Sequence, residues 1–199
     1  MLKKIGLLRF IVILLVSTGC SKSPKVQSVE QVPAPVQRKT SEISSEQLKV
    51  SRNQIDEALA ELGTSKSFAT LADAIGSFRP ASVCKAGQLL QSTLKAKSLE
   101  TADPKLAAKA HRAMAGVYCA AFISPRSKGD CIFELVVGDA LTKAARELQV
   151  SLRLHPKQPE AAQVKQIIRE INRGEDPKTD ELLRYVKFCT ENLGTRLSW

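Results

Sequence analysis

The residues in this chain best able to do chemistry are five cysteines and two histidines. His111 and His155 stand at no ligand spacing with one another, with a cysteine or with a carboxylate, so no metal site is expected. His155 precedes Pro156, where a positive ring at a helix end would favour the helix dipole. There is no phosphate-binding glycine loop and no nucleophile elbow. No cysteine has an identifiable base beside it. The expectation is therefore a non-enzyme without a metal or a dissociable cofactor, in which the thiols serve structure or modification. Cys20 closes a segment with the three parts of an export signal. Lys3, Lys4 and Arg9 give a positive start, 10–16 are apolar, and Ser17-Thr18-Gly19 form a small-residue exit. The apolar run is far short of the roughly 20 residues that span a bilayer. Export implies an oxidising compartment, where the even set Cys84, Cys119, Cys131 and Cys189 reads as disulfides. Three pairings are open. Cys119 and Cys131 flank a loop-like stretch, and such a short closed loop would be worth roughly 2–3 kcal/mol. Cys84 with Cys189 is the complement. Buried free thiols, common in helical cores, are the alternative.

The cysteine directly after Gly19 resembles the lipobox of bacterial lipoproteins, with Ser17 standing where that family prefers leucine. The resemblance implies cleavage before Cys20 and a diacylglyceryl and N-acyl lipid on it. Each buried acyl CH₂ contributes about 0.8 kcal/mol, and two or three chains anchor stably where one is marginal. Ser21, rather than Asp, follows the cysteine, which by the same resemblance favours the outer membrane and its periplasmic face.

The elements that would position any site come next. Residues 1–19 form the signal, 20–43 a lipidated tether and 44–199 a helical domain. The signal holds three basic and no acidic residues, so the remaining 180 residues carry 27 basic against 20 acidic groups, a net +7. That modest excess suits anionic lipid, cell-wall polymer (peptidoglycan) or an acidic protein surface. No nucleic-acid recognition motif is present, and nucleic acid is not an expected partner. The tether is rich in Ser, Pro, Gln, Val and Lys and would reach about 25–30 Å as a coil or about 70 Å as polyproline helix. From Ser44 the apolar period becomes helical. Ser44 and Gln47 form a capping-box signature, Leu48, Ile55, Leu59 and Leu62 share a face, and Gly63 ends the helix. Further helices are expected over 66–78, 81–99, 104–121 (opened by Asp103-Pro104), 130–154 (capped by Asp130), 159–172 and 177–193. No period-two alternation occurs, so the fold class is all-α with about seven helices.

Ala144, Leu148, Ser151 and Pro156 stand at offsets 0, 4, 7 and 12, and Met114, Ala115 and Tyr118 fit the preceding helix. This pattern resembles the tetratricopeptide repeat, with an insertion of about 17 residues between the two helices. Ala72, Ile75, Ala86, Leu90 and Thr93 give a fainter unit, so the resemblance covers roughly residues 66–172. It implies a TPR-like stack of antiparallel helix pairs with a groove for a protein partner, lined by Lys105, Lys109, His111, Arg112 and Arg169. A plain helical bundle with those charges on a solvated face is the alternative reading. Tyr185 and Phe188 are expected to pack, and Trp199 either packs or serves as a docking anchor. Tyr118-Cys119 followed by Cys131 is similar to accessory lipoproteins of the type VI secretion system. The resemblances imply an adaptor for protein subunits of an envelope machine; a pilotin-like chaperone or a cell-wall binding lipoprotein are the alternatives.

Overall fold

The computed structural model describes residues 43–63, 67–96, 98–124, 131–136, 139–173, 177–191 and 193–199. The signal, Cys20 and the tether lie outside the described residues. Ten helical segments occur among the described residues, with no strand. They are α1 Ser45–Glu61, α2 Leu71–Ala74, α3 Pro80–Lys95, α4 Ser98–Ala102, α5 Pro104–Ile123, α6 Cys131–Val136, α7 Ala140–Leu154, α8 Ala161–Asn172, α9 Thr179–Thr190 and α10 Leu193–Arg196. The fold is all-α.

The helix starts follow local chemistry. Ser44 Oγ accepts from the Gln47 amide at 3.2 Å, and Gln47 Oε1 accepts from the Ser44 amide at 2.9 Å. Asp103 accepts from the Leu106 amide at 2.9 Å, with Pro104 at the first helical position. The expected helix over 130–154 is two helices. Asp139, at φ +78°, accepts from the amides of Leu141 and Thr142 and caps α7 anew. The expected helix over 66–78 is reduced to the single turn α2, which a reciprocal Thr70–Asp73 capping box starts and Ile75 ends in extended conformation. The stretch 81–99 divides into α3 and α4, and the last expected helix stops at Thr190.

The helices pair in sequence. Thr93 Oγ1 donates to Gln54 Oε1 at 2.9 Å, while Lys85 bonds Glu61 at 2.7 Å and Glu57 at 3.0 Å, so α1 and α3 run antiparallel. The first helix of this pair is thus α1, not the 66–78 segment; Ala72 and Ile75 of the fainter repeat are exposed, whereas Ala86, Leu90 and Thr93 are buried. α5 and α7 form the second antiparallel pair. Ser151 Oγ donates to the Ala108 carbonyl at 2.9 Å, and His111 meets Glu147 at 2.6 Å one turn further along. α8 packs on α7, and α9 on α5.

The alanine-rich α5 is buried almost all round and divides the interior. Leu106, Ala107, Ala110, Ala113, Met114, Val117, Ala120 and Ala121 join a core with α1 and α3. Ala115 and Cys119 join a second core with Leu141, Ala144 and Leu148 of α7, Val164, Ile167 and Ile168 of α8, and Tyr185, Phe188 and Cys189 of α9. Small side chains let neighbouring helices approach closely. At Gly116 an added Cβ would lie 2.8 Å from both the Cys189 carbonyl oxygen and Leu193 Cδ2.

Candidate partner-binding surface

Lys105, Lys109 and Arg112 follow helical spacing of four and three residues, so they share one stripe of α5 with Gly116 and Cys119. That stripe faces α9, α10 and Trp199, which cover most of it. Only its first turn stays open. There Lys105 and Lys109 line a cleft of about 300 Å³ with Arg52, Asp103, Leu106, Ser198 and Trp199. Lys109 bonds Asp56 at 2.9 Å. Trp199 is half-buried and its indole stacks on His155 with centroids 4.8 Å apart.

Arg112 is 1% exposed and cannot line an open groove. Its Nη1 donates to Gln158 Oε1 at 3.2 Å and to the Pro159 carbonyl at 3.1 Å, and its Nη2 pairs with Glu160. Glu160 sits in the left-handed region at φ +60°, at the start of α8. Arg112 therefore holds the α7–α8 turn against α5. The Phe188 ring lies 5.1 Å from Arg112 Cζ and 5.3 Å from Arg196 Cζ, and Arg196 Nε is 3.3 Å from Glu160. Burial pulls the Arg112 guanidinium below its ordinary pKa, and the hydrogen bond to Glu160 opposes that shift. His111 is also buried, between Glu147 at 2.6 Å and Glu100 at 3.6 Å. Arg169 is exposed on α8, a helix that packs on α7. The five expected groove residues thus do not form one surface. Long charged side chains on a helix read as solvated, but later segments pack over Arg112 and His111, while Lys105, Lys109 and Arg169 keep access to solvent.

The disulfide joins Cys84 to Cys131, with Cα atoms 5.9 Å apart, within the usual range of about 4.4–6.8 Å. Both cysteines pack against the core that α5 shares with α1 and α3, whereas Cys119 points into the second core. Nearness in sequence misleads here because α5 separates Cys119 from Cys131. Cys189 is likewise not paired with Cys84. Cys119 and Cys189 are buried free thiols. Their mutual hydrogen bond, then burial, pushes the Cys119 thiol well above its ordinary pKa.

A second groove, unexpected from sequence, lies beside α8, α9 and α10. It holds about 360 Å³ and is lined by Gln163, Asp180, Leu183, Arg184, Lys187, Phe188 and Arg196. Arg184 pairs with Glu170 at 2.6 Å and Arg196 with Glu160. Lys187 has no carboxylate within 4 Å among the described residues. The groove sets three cations and an aromatic ring against the one carboxylate of Asp180. Its sequence signal is Arg184, Lys187 and Phe188 at spacings of three and four, which share a helix face. Among the described residues no group of three or more His, Cys, Asp or Glu could hold a metal, and no helix is long and apolar enough to cross a membrane. No protein family, curated protein or solved structure matches this chain.

Proposed function

We propose that the chain is a lipid-anchored helical adaptor that binds protein subunits of a bacterial envelope machine, and in the finer reading an accessory lipoprotein of a type VI secretion system. The observation that supports the adaptor reading best is the α5–α7 crossing. The small Ser151, at the offset the tetratricopeptide pattern asks for, lets its hydroxyl reach the Ala108 carbonyl at 2.9 Å. Stacked pairs of this kind serve as rigid binding surfaces. The α8–α9–α10 groove is the surface that fits a partner, an acidic segment of a protein, because Lys187 stands in it beside the Phe188 ring with no carboxylate within 4 Å among the described residues, while Arg184 and Arg196 are held by Glu170 and Glu160. Cys20, through its lipid, would hold that surface at the outer membrane, with the tether setting its reach.

The test is affinity capture from detergent-solubilised envelopes, with bound proteins identified by mass spectrometry. Wild type is expected to retain secretion-system subunits, and Lys187→Glu to retain about fivefold less, the effect of roughly 1 kcal/mol at a partly solvated charge. Recovery only with isolated cell wall would sink the adaptor and favour the cell-wall alternative; recovery of a secretin would favour the pilotin-like one. Metabolic labelling with a fatty-acid analogue tests the anchor, and Cys20→Ala is expected to abolish it.

A further inference from the structure

We propose that Cys119 and Cys189 form a second disulfide, joining α5 to α9, when the chain folds under oxidising conditions. The two thiols lie together in the core shared by α5, α7, α8 and α9. Cys189 is the neighbour that most strongly raises the pKa of the Cys119 thiol. The backbones around them are also close. Gly116 stands one turn before Cys119 on the same stripe of α5, and a Cβ there would lie 2.8 Å from the carbonyl oxygen of Cys189. A residue of any other type at 116 would hold α9 off at this point. The glycine brings the Cys189 backbone onto α5 one turn from Cys119.

The bond forms by thiol–disulfide exchange with a disulfide-form oxidant, either oxidised glutathione or a dithiol oxidoreductase. The Cys189 thiolate attacks one sulfur of the oxidant and releases the other as a thiol. The Cys119 thiolate then attacks the Cys189 sulfur of the mixed disulfide and releases the second oxidant thiol. The pair loses two protons and two electrons, and the oxidant disulfide gains them. Both thiols are buried in the folded chain, so the first exchange occurs while α9 is still away from α5, and docking of α9 closes the bond. The bridge then fastens α9, with Arg184, Lys187 and Phe188, to the central helix. The oxidising setting rests on the export reading; the choice of partners does not.

The test uses the full chain, reduced in denaturant and refolded in a glutathione redox buffer. After an acid quench the chain is alkylated with N-ethylmaleimide, digested without reductant and mapped by mass spectrometry. The expected result is Cys119 linked to Cys189 and Cys84 to Cys131, with none of the four alkylated. Cys119 and Cys189 alkylated beside an intact Cys84–Cys131 bridge would overturn the proposal, as would either of them linked to Cys84 or Cys131. The same mapping on protein alkylated in intact cells separates the two readings. Both bridges reduced in cells, with both formed in glutathione, would support the pairing and sink export.

Discussion

Gly116→Ala tests whether the approach of α9 to α5 depends on the missing side chain. Two effects oppose each other. Alanine in the middle of a helix is favoured over glycine by about 1 kcal/mol. Against that, the new Cβ would sit 2.8 Å from a backbone carbonyl oxygen and 2.8 Å from Leu193 Cδ2, and neither can turn away freely because both Cys189 and Leu193 are buried. Overpacking of this kind costs about 1–3 kcal/mol, and a fixed backbone atom puts the cost in the upper part of that range. The expected net effect is destabilisation by about 1–2 kcal/mol, a fall of about 3–6 °C in Tm for a domain of this size. Gly87→Ala is the matched control. Its Cβ would lie 3.3 Å from Val117 Cγ1 and 3.7 Å from the Leu135 methyls, side-chain atoms rather than backbone, with the shortest contact half an ångström longer than at Gly116. The helix gain then offsets the crowding, and the variant is expected within about 0.5 kcal/mol of wild type. Thermal unfolding followed by circular dichroism at 222 nm reads both. A Gly116→Ala variant as stable as wild type, or a Gly87→Ala variant that loses more, would refute the close-approach argument.

Three further outcomes are expected. Cys131→Ser opens a bridge spanning 47 residues; the chain-entropy model gives about 4 kcal/mol for that loop, so urea unfolding is expected to show a loss of about 2–4 kcal/mol, and an unchanged midpoint would count against the pairing. Arg112→Ala removes one of the two guanidiniums at Glu160, the donor to the Pro159 carbonyl and the buried stem, and is expected to cost about 2–4 kcal/mol, whereas Arg112→Met keeps an apolar stem in the same space and is expected to recover part of that; equal losses would show that the packing of the stem is immaterial. Burial, then the charge of Lys105, lowers the His155 pKa from 6.5; between the two values the unfolded chain binds more protons, so stability rises with pH through that window and falls as acid protonates the ring. Trp199, the chain's single tryptophan, stacks on that ring, so its emission is expected to titrate with a midpoint below 6.5 and to stop doing so in His155→Gln. A midpoint at or above 6.5 would contradict the burial argument.

Local signals in the sequence located what local forces decide. Ser44 with Gln47, and Asp103 with Pro104, marked helix starts because a cap needs only neighbours in the chain. The offsets of Ala144, Leu148 and Ser151 marked a close crossing because small residues at helical spacing have little other use. The break before α7 is not legible in the sequence although Asp139 is a good cap, since the apolar period runs on across it. The disulfide is hidden for a different reason. Which cysteines meet depends on how α3, α5 and α6 are rotated about their axes, and no short spacing encodes that.

The cations of α5 show most clearly where sequence reasoning ends. Lys105, Lys109 and Arg112 form a true stripe, and a stripe of three cations beside an alanine-rich face reads as the open side of a helix. Yet four positions beyond Arg112 stands Gly116, a residue that costs helix stability unless something must come close. The glycine is the sign that the stripe is covered. Once α9 lies there, the buried Arg112 needs a carboxylate partner, which the half-buried Glu160 supplies, and Phe188 finds a guanidinium at its ring. The inner face of α5 is then no open groove. The open groove lies one layer outward, along α8, α9 and α10, where Arg184 and Lys187 remain in reach of solvent. A glycine within a charged helical stripe is thus better evidence about a binding surface than the charges themselves, because only the glycine reports what lies on top.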